Sequence, residues 1–100
     1  MTPHSEKILE RLRALKPSLQ KDMKISRLRV FGSVVRGEAG PESDVDLIVD
    51  FETLPGWEYF TLDKKIGEML GGVKVDLATE NSLHPRLKDK ILSEARDVWT

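Results

Sequence analysis

Cysteine is absent from the 100 residues, which excludes disulfides and thiolate metal sites. No apolar run approaches the roughly 18 residues of a membrane span. A basic excess is missing as well. Lys and Arg number 16 against 17 Asp and Glu, a formal net charge of −1, so the chain has no basic stripe with which to hold long nucleic acid. The opening MTPHSEKILE contains no apolar signal core, and a cytoplasmic location is expected. What remains is ordinary globular usage, 39% hydrophobic and 33% charged, which argues against disorder. A chain this short supports one core, so a single domain over residues 1–100 is expected.

Apolar residues at Ile8, Leu9, Leu12, Leu15, Leu19 and Met23 recur at three-and-four spacing and predict a helix. Ser5 is its expected N-cap, and Pro17 marks a kink or an early end. Residues 25–33 alternate Leu28 and Val30 with Arg27 and Arg29, which reads as a strand ending at Gly32. Residues 45–51, VDLIVDF, read as a central strand. Residues 57–72 predict a helix with Tyr59, Leu62, Ile66, Met69 and Leu70 inward, stopped by Gly71-Gly72. A third strand is expected over 73–79. A last helix is expected within 83–98, with Pro85 in its first turn and Leu87, Ile91, Leu92 and Ala95 inward. The order α, β, short α, β, α, β, α gives an α/β (α+β) fold with a sheet covered by helices.

The chemistry gathers between two of these strands. If a helix starts just after Gly32, the Gly32-Ser33 turn offers free backbone N–H groups to a phosphate, and Arg36 on the same edge can hold a phosphate oxygen. The plainer alternative is a tight turn beside a solvated arginine. In the following strand, Asp44 and Asp46 share a face about 6.5 Å apart, while Val45, Leu47 and Val49 point the other way. Like charges placed so repel unless a divalent cation turns the cost into coordination, and magnesium prefers such oxygen ligands.

Asp76 lies between Val75 and Leu77 in a segment otherwise suited to burial, where an acid needs a partner. If its strand neighbours residues 45–51, Asp76 joins Asp44 and Asp46 around a metal pair. Otherwise it is an edge carboxylate bonded to a helix end or a basic group. The other acid-x-acid triplets are assigned no chemistry, since Glu42 belongs to a loop and Asp50 and Glu52 to the solvated end of a strand. His4 and His84 have no second histidine at ligand spacing, so His4 is read as a disordered terminus and His84 as a turn residue. The cluster RLKDK at 86–90 is read as a solvated helix face.

These residues resemble the minimal nucleotidyltransferase family of the polymerase-beta-like superfamily. Its signature is an apolar residue, Gly, then Gly or Ser, a spacer of about ten residues, and Asp-x-Asp among apolar residues. Here it reads FGSVVRGEAGPESDVDLIV, and the likeness runs on through Asp76 in VKVDLAT to the closing helix. The resemblance implies a mixed central sheet flanked by helices, two magnesium ions and ATP as donor. It implies that Gly32, Ser33 and Arg36 contact the nucleotide's phosphates. Asp44 and Asp46 would ligate both ions, and Asp76 would ligate one and orient or deprotonate the acceptor.

Family members of this size often accompany a helical HEPN-type toxin and act as antitoxins by adenylylating one of its tyrosines, so such a partner is what the resemblance implies. Two other readings stand beside it. One is a non-catalytic antitoxin that occludes its partner through aromatics such as Trp57, Tyr59, Phe60 and Trp99. The other is a small-molecule nucleotidyltransferase, for which so short a chain leaves little room unless a partner or a homo-oligomer completes an acceptor pocket. The added domains with which larger relatives recognise tRNA, RNA ends or aminoglycosides are missing, and those substrates are not expected.

Overall fold

Pro17 has no amide hydrogen to donate, and the first helical stretch divides there in two. In the computed structural model, which describes residues 3–40, 43–53 and 55–99, α1 spans Pro3–Ala14 and α2 spans Lys16–Asp22, with Pro17 in the first turn of α2. Ser5 does not cap α1. The helix starts at Pro3, whose fixed φ suits a first turn, and Ser5 is fully buried inside it. His4 likewise belongs to that first turn, half-buried, and is not a disordered terminus. Glu42, assigned to a loop, lies outside the described residues.

Next come β1 (Ile25–Phe31), the single-turn α3 (Ser33–Arg36), β2 (Val45–Phe51), α4 (Tyr59–Met69) and β3 (Val75–Ala78). A short 3-10 turn (Glu80–Ser82) leads to α5 (Pro85–Glu94) and β4 (Arg96–Asp97). The four strands form one sheet in the order β3-β2-β1-β4. β1 runs antiparallel to β2 and β4, and β2 runs parallel to β3, so the sheet is mixed as expected.

Strand alternation divides the sheet's two faces. Leu28 and Val30 of β1, Val45, Leu47 and Val49 of β2 and Val75 of β3 pack with Ile8, Leu12, Leu19, Leu62, Ile66 and Leu70 of the helical layer into one core, every one of them buried. The opposite face carries Arg27, Arg29 and Phe31, then Asp46, Ile48 and Asp50, then Asp76. That face carries the candidate site residues Asp46 and Asp76.

The tail departs from the expected helix. α5 stops at Glu94, and Ala95 turns extended at φ −64 and ψ 142. Arg96 and Asp97 then pair with Val30 and Arg29 of β1. A side-chain grip holds this pairing, because Arg27 donates through Nε and Nη2 to both oxygens of Asp97 at 2.6 and 2.9 Å. Val98, behind it, is buried in the core. Leu87, expected inward, is 52% exposed, since α5 buries no residue fully and rests on the sheet only along a narrow line.

The turn from α4 into β3 is set by glycines. Gly71 and Gly72 have φ of +92 and +93, a region that side chains disfavour. The Gly67 carbonyl accepts from the N–H groups of Gly72 at 2.9 Å and Val73 at 3.2 Å. A Cβ on Gly67 would strike the Val73 carbonyl oxygen, so the start of β3 is held tightly against the end of α4.

Candidate active site

Gly32 closes β1 with φ 74 and ψ −144, which only glycine adopts readily. The chain then folds at once into α3, where the Arg36 N–H donates to the Gly32 carbonyl at 3.1 Å. Phe31 pairs with Asp46 across the ladder, so the turn lies over that carboxylate. A Cβ on Gly32 would collide with the Asp46 side chain. The glycine is therefore required twice, for its backbone angle and for the close approach of a carboxylate to the main chain.

Asp46 stands opposite Asp76 in the parallel register of β2 and β3. Both side chains point to the open face, close enough for a proton on Asp46 to bond to Asp76. Burial pushes the half-buried Asp46 up to about 6, and the charges of Asp76 and Asp44 and the bond to Asp76 add to this, while Arg36 pulls the other way. Asp76 itself is exposed, on an edge strand, rather than in the buried setting that its apolar neighbours suggested. Its partner is Asp46, not a helix end. Asp44 precedes β2 and is half-exposed, with the Lys74 ammonium 3.7 Å from its Oδ2.

The remaining expected residues lie on the same rim. Ser33 opens α3, half-buried, and Arg36 ends it, exposed. The Arg36 guanidinium contacts Glu38 at 3.2 Å and Glu94 at 3.9 Å, contacts exposed enough to be exchanged for a stronger anion. The structure thus brings Gly32, Asp46 and Asp76 into direct proximity, with Asp44 and Arg36 within electrostatic reach of Asp46.

A pair of facing carboxylates marks a position where positive charge is wanted, and its oxygens are the donors a hard divalent cation prefers. Among the described residues no three acidic or histidine side chains close around a metal ion. An open carboxylate cluster of this kind fits magnesium, which keeps waters and substrate phosphate oxygens as its other ligands instead of an all-protein cage.

Beside Asp44 opens a cleft of about 540 Å³, with Lys7, Arg11 and Lys74 along its wall. Its volume lies within the range of small-molecule sites.

Sequence reasoning missed Arg29. Only 6% exposed, it donates from Nη2 to Glu80 Oε1 at 2.6 Å and lies 3.7 Å from Asp50. Glu80 is held below the usual carboxylate range by that bond and by the guanidinium charge. Arg29 thus ties the segment that follows β3 to the middle of the sheet. The signal was its alternation with Leu28 and Val30, which places a cation on the same face as the acids. Asp50 is half-buried beside this guanidinium rather than simply solvated.

The family model for the nucleotidyltransferase domain matches residues 6–98. Protein adenylyltransferase MntA of Thermococcus cleftensis is 39% identical over 89 residues, covering 89% of this chain and 90% of that protein. A solved structure described as a minimal nucleotidyltransferase superposes with a TM-score of 0.69 at 42% identity, over 88% of this chain and 93% of that one. A toxin–antitoxin crystal structure with AMP-PNP superposes at 0.63 and 26% identity, over 95% of this chain and 72% of that one.

Proposed function

Because the chain belongs to the minimal nucleotidyltransferase family and is a nucleotidyltransferase, we propose that it transfers AMP from ATP to a tyrosine hydroxyl of a HEPN-type toxin, and so acts as an antitoxin. The observation that carries this reading is the Asp46–Asp76 pair beneath the Gly32 turn. The likeness to a protein adenylyltransferase and to a toxin–antitoxin structure holding an ATP analogue supports the choice of donor and of acceptor class.

In this reading the Gly32 backbone and Ser33 cradle the phosphates, and Arg36 steadies a phosphate oxygen. Asp44, Asp46 and Asp76 would hold magnesium, which would neutralise charge on the phosphates and acidify the acceptor. Asp76 orients the acceptor hydroxyl and takes its proton. The acceptor oxygen bonds to the α-phosphorus as the bridge to the β-phosphate breaks, and pyrophosphate leaves. The protein's part is position and charge.

The test is incubation of the purified protein with ATP labelled in the α-phosphate, magnesium and the product of the adjoining reading frame. The expected outcome is label on a tyrosine of that product, located by mass spectrometry. Label on a small molecule instead would favour the cleft beside Asp44 as an acceptor pocket. Neutralisation of the toxin by Asp44→Asn and Asp46→Asn variants that transfer nothing would favour occlusion, which the exposed Trp57 and Phe60 make a real alternative.

A further inference from the structure

Asp76 lies on the free edge of the sheet. β3 ends the strand order, and among the described residues no strand pairs with its outer side. The Val45 N–H donates to the Lys74 carbonyl at 2.9 Å, which fixes how the ladder alternates. Lys74 and Asp76 turn their backbone groups toward β2, and Val75 and Leu77 turn theirs outward. Unpaired N–H and C=O groups along an edge form a template for another strand. β3 contains no proline to block it.

A trough follows this edge. One part, about 400 Å³, runs between Asp63, Gly67 and Glu68 of α4 and the backbone from Gly72 to Asp76. A second hollow of about 160 Å³ continues it past Leu77 to Tyr59 and Phe60, and Asp63 lines both. At that end Trp57 is 85% exposed and Phe60 71%, their rings tilted together with centroids 5.8 Å apart. Two large aromatics left in water beside an unpaired strand are a binding surface in waiting.

We propose that the trough takes an extended polypeptide segment of the acceptor protein, added to the sheet as a strand alongside β3. Its hydroxyl-bearing residue then lies over Asp76, and an apolar neighbour packs against Trp57 and Phe60. The proposal rests on the transfer reading above and says how that reading's acceptor is held.

Continuity with the site selects this occupant. Asp76, which meets the acceptor hydroxyl, belongs both to the carboxylate pair and to the trough wall. Alternation does the rest. In an added strand, the residue beside Asp76 faces the carboxylates, and the residues next to it face the α4 side, where the aromatic pair stands. Main-chain bonds to Val75 and Leu77 supply affinity, and the two side-chain sites supply selectivity. Asp63, Glu68 and Asp76 alternate along the trough with Lys64 and Lys74, a mixed lining without the basic excess that a polynucleotide would need.

The experiment is residue-resolved amide exchange on the isotopically labelled chain, alone and with the product of the adjoining reading frame. The amides of Val75 and Leu77 are expected to exchange freely in the isolated chain and at least tenfold more slowly in the complex. The Asp76 amide, already bonded to β2, is expected to change little. Unslowed Val75 and Leu77 amides in a complex that still accepts label would overturn strand addition and leave the transfer reading intact. Protection of those amides with no AMP transferred would instead sink the transfer reading.

Protection that rises with the concentration of the chain alone would assign the edge to a second copy and overturn the proposal. Leu77→Pro removes an outward N–H where edge strands tolerate proline. It is expected to raise the acceptor KM at least tenfold while ATP-analogue affinity stays within twofold. If that variant does not fold, Trp57→Ala with Phe60→Ala gives the same measurement from exposed positions. An unchanged acceptor KM in a folded variant would count against the trough.

Discussion

Asp46 and Asp76 face each other across adjacent parallel strands, with the main chain of Gly32 against the Asp46 carboxylate. Two acids so placed cannot both ionise cheaply, and burial together with the neighbouring charges of Asp76 and Asp44 raises Asp46 to about 6.

This shift makes stability depend on pH. Asp46 is raised from 3.8 to about 6, so the folded state holds its proton more tightly than the unfolded chain. The resulting stabilisation is complete below about pH 4 and is lost as pH rises through about 6. Asp46→Asn has no such loss, so in chelator it should melt above the parent at neutral pH, with the gap closing in acid. Magnesium should raise the parent's melting temperature at neutral pH and leave the variant's unmoved. Thermal scans across pH decide this, and a variant that melts below its parent at neutral pH would contradict the raised affinity of Asp46 for its proton.

Asp76 and Asp44 should separate in their effects. Asp76→Asn is expected to lower AMP transfer at least about 100-fold, as for loss of a general base, with ATP-analogue binding still measurable. Asp44→Asn should weaken magnesium-dependent nucleotide binding as well as abolish transfer. Calorimetric titration beside a labelling assay distinguishes them, and equal transfer by parent and Asp76→Asn would remove Asp76 from the chemistry.

Gly32→Ala should fail for two separable reasons. Its φ of 74 costs a side-chain-bearing residue about 1–3 kcal/mol. The new methyl also displaces the Asp46 carboxylate. Urea unfolding should show the stability loss, and transfer measured where the variant is still folded should remain far below the parent's. A variant with parental stability would mean that the turn relaxes freely.

Arg29→Ala strips Glu80 and Asp50 of their buried cation. The expected cost is about 1.5–3 kcal/mol, that of a hydrogen bond to a charged group. Arg29→Lys should recover only part of it, because a single ammonium cannot reproduce the guanidinium fork. Denaturant melts give the loss, and faster amide exchange over Glu80–Ser82 should show where the structure loosens.

How much of this was legible follows from how local each signal is. The faces of β1 and β2 are written residue by residue, since Leu28 and Val30 alternate with arginines and Val45 and Leu47 bracket Asp46. The helix–glycine–strand passage from Leu62 to Asp76 is equally local. What could not be read is what depends on distant partners. Arg96 and Asp97 look like helix by spacing, and only their pairing with β1, held by Arg27 across 70 positions, makes them a strand. Arg29 meets Glu80 across 51 positions, which no periodicity shows. Leu87 matches the apolar rhythm of a core helix, but α5 meets the sheet too narrowly to bury it. At the site, the Asp44–Asp46 spacing was visible, and the position of Asp76 beside Asp46 had to await the strand order.

The Gly67 carbonyl, by capturing two successive amides at the entry to β3, does more than end a helix. It counts residues. One residue inserted between Gly72 and Val75 would reverse the parity of the strand and swing Asp76 into hydrocarbon, with a valine delivered in its place, whereas two would restore the original sense. The placement of Asp76 is thus hostage to the odd or even length of the short connection that leads into it.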